Sequence, residues 1–267
     1  MTPLALCRSL LFLPASNPRA IEKARGLGAD MIFLDLEDAV KPELKEEARA
    51  AAVAAAAEGF GERPVAIRVN KIGDPWHAED VAAVAGSRAD FIILPKVQAA
   101  AEAAAVAAAA PQPLLAMVET AAGVLDAQRI AQHTAGLIAG TNDLSADLRI
   151  PSRFDRSGLA VSLQAIVLAA RAAGVAAFDG VYNPLDDPEG LERECEEGSA
   201  FGFDGKTLIH PSQIEAANRI FGPSEEEVEE ARRLVEAATG GAQRFEGRMI
   251  EAMHVEQARR LLARAQG

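Results

Sequence analysis

Short apolar runs alternate with longer helical segments along most of the chain. The runs are rich in Leu, Ile, Val and Phe, a pattern typical of parallel strands that are buried on both faces. Asn17-Pro18, Pro42 and Asp187-Pro188 mark helix starts between the runs, because proline suits the first helical turn. The predicted strands are residues 9–15, 31–36, 65–69, 91–94, 114–118, 136–139, 176–181 and 206–209.

This alternation predicts an α/β protein in which eight βα units close into a (β/α)8 TIM barrel with a C-terminal helical extension. The chain has 267 residues, which suits a barrel of about 250. The repeat stops near Phe221, so we predict a barrel domain over residues 1–221 and an extension over residues 222–267. The extension must bury several apolar side chains, and we expect a neighbouring subunit to cover them. They are Phe245, Met249, Ile250, Met253 and Val255.

The segment from residue 113 to residue 144 carries the clearest candidate chemistry. Glu119 follows the predicted strand 114–118, and Asp143 follows the strand 136–139. A parallel crossover places both acids at the same end of adjacent strands, where two carboxylates predict a site for a hard cation. Gly140 would let a ligand approach the backbone closely. Each acid taken alone has another interpretation, as a helix cap or a solvated loop residue.

Further polar residues lie at the C-terminal ends of the predicted strands, where barrels of this type bind their ligands. Arg68 stands on an apolar strand and predicts recognition of a carboxylate. Its alternative is a buried pair with Glu37 or Asp35, and the two roles are compatible. The other candidates are Asp35, Glu37, Asp38, Asn70, Lys96, Asp179 and His210. For Asp38, Lys96 and His210, capping a helix or bonding a backbone carbonyl is the alternative.

Charge and composition limit the partners of this chain. The formal net charge is -12 and the sequence pI is about 4.9, which argues against nucleic acid and anionic membranes as partners. No signal-like N-terminus and no membrane-length apolar run occurs, so we expect a soluble, cytoplasmic protein. Cys7 and Cys195 lie far apart and lack metal-site spacing, so we expect reduced, unreactive thiols.

Several phrases, read in order, carry a resemblance that covers nearly the whole chain: RSLLFLPASNP, FLDLEDAV, IRVN, LPK, VETAAG, GTNDLSADL, GFDGKTLIHPSQI and GRMI. They resemble the citrate lyase beta subunit family, whose relatives include malyl-CoA and citramalyl-CoA lyases. The resemblance implies a (β/α)8 fold, a Mg2+ site, and cleavage or formation of a carbon–carbon bond next to a CoA thioester. It also implies that Glu119 and Asp143 bind the metal and that Arg68 and Glu119 contact the substrate.

Three positions depart from the pattern of that family. Asn142 stands where the family often has an acid before the second metal ligand, and Ala146 to Arg149 replaces a loop that commonly reads on to a glycine. After the Met249-Ile250 pair the family tends to have an aspartate, which is thought to reach a neighbouring subunit's site as acid or base. This chain has Glu251, which keeps the carboxyl group but adds a methylene, and a displacement of about 1 Å can be costly in rate.

The predicted function is Mg2+-dependent carbon–carbon cleavage of a 3-hydroxyacyl-CoA thioester of the citryl, malyl or citramalyl type, or the reverse condensation. Arg68 would stabilise the enolate oxygen and Glu251 would act as acid or base. A Mg2+-dependent aldolase acting on free 2-oxoacids, and a non-catalytic acyl-CoA-binding subunit, remain open alternatives. Expected partners are an acyl-CoA and a 2-oxoacid, and further copies of the chain in a homotrimer or higher oligomer. The sequence leaves open whether the protein works alone or with the other subunits of a citrate lyase complex.

Overall fold

The computed structural model describes residues 3–151 and 155–265. Eight parallel strands pair in sequence order, and the last strand pairs with the first, which closes the barrel. This confirms the predicted (β/α)8 fold. The strands are β1 (Ser9–Pro14), β2 (Met31–Asp35), β3 (Val65–Arg68), β4 (Phe91–Leu94), β5 (Leu114–Val118), β6 (Gly136–Ala139), β7 (Ala176–Asp179) and β8 (Gly205–Leu208).

Helices surround the barrel and continue into the extension. They are α1 (Pro18–Ala24), α2 (Lys45–Glu58), α3 (His77–Ala85), α4 (Ala100–Ala109), α5 (Ala121–Ala131), α6 (Thr141–Asp147), α7 (Ala160–Ala173), α8 (Pro188–Phe201), α9 (Ile214–Phe221), α10 (Glu225–Ala237) and α11 (Ala252–Arg264). Short 3-10 helices cover Pro3–Leu6, Pro42–Leu44, Arg156–Leu159 and Pro211–Gln213. The sequence pattern did not delimit α3 and α6, since both are short and neither begins with a side-chain cap.

Two layers of apolar side chains stabilise the barrel. Leu10, Phe33, Ile93, Leu115 and Phe178 belong to a buried cluster distinct from the larger cluster formed by strands and covering helices. Alternate residues of a strand point to opposite faces, so each of the strands β1 to β7 contributes to both layers. Burying one such large side chain stabilises the fold by about 1.5–3 kcal/mol. The alanines of α2 and α4 allow these helices to pack closely on the sheet.

The extension has an apolar cluster of its own. The hairpin strands β9 (Gln243–Phe245) and β10 (Arg248–Ile250) pack with α10 and α11. Phe245 and Ile250 are buried there, and Val255 packs against the same cluster. The expectation that these three need a neighbouring subunit is therefore wrong, because the extension covers them itself. Met249 and Met253 stay 62% and 57% exposed.

The extension is also tied to the barrel. The Arg264 Nη2 group near the end of α11 donates hydrogen bonds to the carbonyl oxygens of Asp204 and Phe221 at 2.8 and 2.9 Å. Cys7 and Cys195 are buried and form no disulfide, and burial is the main cause that raises their thiol pKa values to about 12 and about 11. Across residues 3–151 and 155–265, no helix is long and apolar enough to cross a membrane.

Candidate active site

Glu119 lies directly after β5 with its side chain buried. Its Oε1 atom accepts a hydrogen bond of 2.7 Å from the backbone N–H of Lys96. Gly140 lies against the same carboxylate, and a Cβ atom at residue 140 would collide with it. Gly140 thus allows the Glu119 side chain to lie close to its backbone, and the approach of a ligand expected there stays a prediction. The buried carboxylate is fixed on both sides.

Asp143 lies in the first turn of α6, immediately beyond β6. Its side chain is 43% exposed, and its Oδ1 atom lies 3.7 Å from the Lys96 Nζ atom. Lys96 therefore contacts Glu119 through its backbone and Asp143 through its side chain. The two acids meet around one residue at the barrel mouth, as their spacing predicted. Their role as metal ligands stays a prediction.

Lys96 connects these acids to the loop that follows β2. Its Nζ atom lies 2.9 Å from Glu37 Oε1 and 3.4 Å from Asp38 Oδ1. Its backbone φ angle is 54°, in the left-handed region that residues other than glycine rarely adopt. The Lys96 side chain therefore pairs with carboxylates. The alternative considered from the sequence was that it caps a helix or bonds a backbone carbonyl group.

Arg68 ends β3 and is held by the strand beside it. Its Nε and Nη2 atoms donate to the two carboxylate oxygens of Asp35, each at 2.6 Å. Its Nη1 atom lies 3.2 Å from Glu37 Oε2, and the guanidinium lies 4.7 Å from the centre of the Phe12 ring. The buried pair expected as an alternative role of Arg68 is confirmed, and it fixes the orientation of the guanidinium plane. A guanidinium has five N–H groups, so this pair leaves others for a ligand.

Burial and charge shift the pKa values of the clustered acids. Burial is the main cause that raises the pKa of Glu119 to about 7, and the charges of Glu37 and Asp143 raise it further. Burial likewise raises the pKa of Glu37 above its ordinary value. Burial opposes ionisation of Asp35 too, but the charge and hydrogen bonds of Arg68 outweigh it and hold the pKa of Asp35 low. Burial and the neighbouring negative charges thus oppose the ionisation of Glu37 and Glu119.

A buried network behind the mouth fixes the loop after β2. The Lys45 Nζ atom donates to the backbone oxygens of Leu36 and Glu37, each at 2.7 Å, and to Asn70 Oδ1 at 2.6 Å. The Asn70 amide nitrogen donates to Asp80 Oδ2 at 2.6 Å. Both ends of the Asn70 side chain are occupied, so these contacts do not support the ligand-binding role predicted for Asn70. Lys45 and Asp80 were missed, because nothing in the sequence separates them from exposed charges on helices.

Two other sequence candidates also make structural contacts. Asp179, at the end of β7, is fully buried and pairs with Arg156 at 2.8 Å and Lys206 at 3.0 Å. The Lys206 Nζ atom donates in addition to the Gly180 oxygen at 2.6 Å, so this cluster joins β7 to β8. The Nδ1 atom of His210 accepts a hydrogen bond of 3.2 Å from Ser212 N at the start of a 3-10 helix. The capping role considered for His210 is confirmed.

Asn142 and Glu251, two of the residues that depart from the family pattern, form local hydrogen bonds. Asn142 and Asn183 form a reciprocal amide pair, with hydrogen bonds of 3.2 and 2.7 Å. Glu251 is exposed at the N-terminal end of α11, and its backbone N–H donates to His254 Nδ1 at 3.0 Å. A cavity of about 880 Å3 lies between α6 and α8, beside Asn142. A smaller cavity of about 250 Å3 adjoins Lys96. Asn142, which lines the larger cavity, and Thr120, which lines the smaller one, are the chain neighbours of Asp143 and Glu119. The catalytic role of Glu251 stays a prediction.

The fold and the site define a class: a barrel protein whose mouth carries a carboxylate cluster beside a fixed arginine. The HpcH/HpaI aldolase/citrate lyase family model matches residues 8–211, and the chain belongs to this family.

Named relatives cover almost the full chain. The (3S)-malyl-CoA thioesterase of Cereibacter sphaeroides (strain ATCC 17025) is 46% identical, over 97% of this chain and 94% of the relative. The citrate lyase subunit beta of Leuconostoc mesenteroides subsp. cremoris is 33% identical, over 96% and 92%. The crystal structure of CitE from Mycobacterium tuberculosis in complex with magnesium, acetoacetate and coenzyme A has a TM-score of 0.84 and 34% identity, over 98% of both chains.

Proposed function

We propose that the protein is a Mg2+-dependent enzyme that cleaves a carbon–carbon bond in a 3-hydroxyacyl-CoA thioester of the malyl type, or catalyses the reverse condensation. The products of cleavage are a 2-oxoacid and a shorter acyl-CoA. The observation that carries the proposal is the convergence of Glu119 and Asp143 beside the fixed guanidinium of Arg68. The relatives named for malyl-CoA and citrate, and the neighbour with magnesium and coenzyme A, support it.

The residues present fit a divalent cation. Glu119 and Asp143 would hold Mg2+, and their oxygen atoms are the ligands that this ion prefers. Glu37 Oε2 is buried and lies 3.2 Å from Arg68 Nη1, but it accepts no hydrogen bond from the part of the chain that the structure describes. Within the described ranges no three His, Cys, Asp or Glu side chains form a metal site by themselves, so water and substrate oxygens would complete the ligands. When bound, Mg2+ supplies a Lewis acid for the oxygens of the 2-oxoacid.

Arg68 would stabilise the negative charge that develops on the thioester oxygen. Asp35 holds the Nε/Nη2 edge of the guanidinium through two hydrogen bonds, so the remaining N–H groups have fixed directions. Donors that need no reorganisation during the reaction stabilise a developing oxyanion most effectively. In the cleavage direction the 3-hydroxyl group loses its proton, the C2–C3 bond breaks, and its electron pair forms the thioester enolate. That enolate then takes up a proton at C2.

Glu251 of a neighbouring subunit would provide the acid or base for these proton transfers. It lies exposed in the extension, and Met249 and Met253 beside it present exposed apolar surface that a second copy would cover. We propose that residues 222–267 form this contact and that the protein is a homotrimer or a higher homo-oligomer. A ring of identical contacts would bring one Glu251 to each site.

Hydrolysis of the same thioester is the second candidate, and the 46% identity to the (3S)-malyl-CoA thioesterase is the observation that favours it. Water would add to the thioester carbonyl, and CoA would leave as the thiol. Arg68 could stabilise the oxyanion in this reaction as well. The two reactions therefore share the substrate class and the site but differ in which bond breaks.

Product analysis with malyl-, citramalyl- and citryl-CoA separates these possibilities. Equal amounts of 2-oxoacid and shorter acyl-CoA, formed only with Mg2+, would establish the lyase. Free CoA thiol and the intact 3-hydroxyacid would establish the thioesterase, provided that acetyl-CoA alone is not hydrolysed. Turnover of free 2-oxoacids without any thioester reaction would favour the aldolase alternative. Absence of turnover with every substrate would leave an acyl-CoA-binding subunit.

A further inference from the structure

The main chain at Lys96 is unusual for a residue with a side chain. Its φ angle of 54° lies in the left-handed region. Glycine adopts this conformation without strain, whereas a residue with a side chain does not. This conformation accompanies the backbone hydrogen bond from Lys96 to Glu119 Oε1 at 2.7 Å. Glycine would donate the same bond. The backbone therefore does not account for a lysine here, and strain at such a position points to a role for the side chain.

The Lys96 ammonium is surrounded by carboxylates from separate elements. It lies 2.9 Å from Glu37 and 3.4 Å from Asp38, both in the loop after β2, and 3.7 Å from Asp143 on α6. The side chain is 23% exposed, so water screens these charges only in part. Asp143 is one of the two proposed metal ligands. A permanent positive charge thus lies within a few ångströms of the place where a divalent cation would bind.

We propose that Lys96 is a positioning residue that acts as a built-in counter-ion: it competes with Mg2+ for the carboxylates and strengthens binding of the anionic 2-oxoacid. This inference rests on the proposed function, because it requires the Mg2+ site at Glu119 and Asp143. The ammonium repels a divalent cation and attracts a carboxylate. Lys96 therefore weakens the binding of the metal alone while favouring the metal together with its substrate.

Removing the charge should shift the two affinities in opposite directions. Lys96→Met keeps the length of the side chain and the strained backbone but loses the ammonium. We expect its calorimetric Mg2+ affinity to rise about tenfold, a size consistent with Coulomb interactions at partly solvated sites. Its affinity for pyruvate at saturating Mg2+ should fall about threefold to tenfold. A purely structural role would weaken both affinities, because a distorted site binds both ligands less well.

Three further variants complete the test. Lys96→Arg keeps the charge and should stay within about twofold of the wild type for Mg2+. Lys96→Gly loses the charge and the strain, so it should bind Mg2+ as tightly as Lys96→Met, and it provides a second neutral variant if Lys96→Met fails to fold. Lys71→Met is the matched control, because Lys71 is 48% exposed and its ion pair is with Asp74 at 4.0 Å.

Lower or unchanged Mg2+ affinity in both neutral variants, relative to Lys71→Met, would overturn the inference while leaving the metal site intact. A fall in both Mg2+ and pyruvate affinity would assign Lys96 a structural role and would also overturn it. If the wild-type protein binds no Mg2+ with or without pyruvate, the proposed metal site itself is rejected, and the inference with it.

Discussion

Arg68 and Asp35 form a two-pronged ion pair across adjacent strands at the barrel mouth. Nε and Nη2 of Arg68 each donate to one carboxylate oxygen of Asp35 at 2.6 Å, and the two residues are direct partners in the pairing of β2 with β3. The cross-strand register therefore determines the pair, and the pair determines the plane of the guanidinium. An ammonium group cannot reproduce this planar geometry.

Arg68→Lys should fold but lose most of its activity. Loss of a fixed oxyanion donor typically lowers kcat by about 100-fold or more. Lysine would also break the two-pronged pairing with Asp35, whose oxygens would still accept hydrogen bonds from the backbone N–H groups of Glu37 and Ala39. Steady-state kinetics and thermal unfolding measure the two effects separately. Arg129→Lys is the control, because Arg129 is 74% exposed. Near-normal turnover of Arg68→Lys would show that Arg68 has a structural role only.

Glu119→Gln and Asp143→Asn should each weaken Mg2+ binding at least about tenfold by titration calorimetry, because each removes a charged oxygen ligand. Glu119→Gln should not lower the thermal stability at pH 8. Glu119 has a pKa raised to about 7 by burial, so ionisation at pH 8 opposes folding, and a neutral amide avoids that cost. Asp147→Asn is the control, because Asp147 lies on α6, the helix that carries Asp143. Unchanged Mg2+ binding in both variants would rule out this site.

The affinity for Mg2+ should depend on pH near neutrality. Since the pKa of Glu119 is raised to about 7, the folded protein holds a proton there below pH 7, and that proton must leave before the carboxylate binds metal. We expect Mg2+ to bind about tenfold more weakly at pH 6 than at pH 8. Calorimetry in two buffers that differ in ionisation enthalpy would reveal the released proton. Glu119→Gln should lose this component of the pH dependence, and its persistence would place the titrating group elsewhere.

Glu251 should act in a neighbouring subunit. If so, an inactive Arg68→Ala protein mixed with an inactive Glu251→Ala protein should regain some activity, because a mixed ring contains sites with both residues intact. Subunit exchange is verified by native mass spectrometry, and the mass of the assembly is measured in the same experiment. A monomeric protein, or no recovery after complete exchange, would contradict the role of Glu251 in trans.

The strands and the positions of the acids followed from the sequence, whereas the side-chain contacts of the polar residues did not. β4, β5 and β6 have the bounds that their apolar runs predicted, because strands buried on both faces have clear hydrophobic limits. Asn70 and Asp179 also lie near strand ends, yet both are held in buried networks. Which way a polar side chain points depends on partners from distant segments, such as Lys45 and Lys206. A single sequence contains no signal for those pairings.

The packing of the apolar side chains in the extension was likewise not predictable from the sequence. Phe245 and Ile250 find partners in α10 and α11, and a charged helix such as α10 gave no clear sign of an apolar face able to cover them. The exposed Met249 and Met253 remain available for a contact between copies. Hydrophobicity thus indicated which residues need burial but could not distinguish cover within the chain from cover by another chain.

The way in which Lys45 holds the loop after β2 has a consequence for how this site can diversify. Its ammonium binds the backbone oxygens of Leu36 and Glu37 and not the acidic side chains. The path of the main chain is therefore largely independent of which residues occupy positions 37 and 38. Substitutions at these two positions can alter the charge around the proposed metal site without rebuilding the loop, so the scaffold can evolve a new ligand preference in single steps.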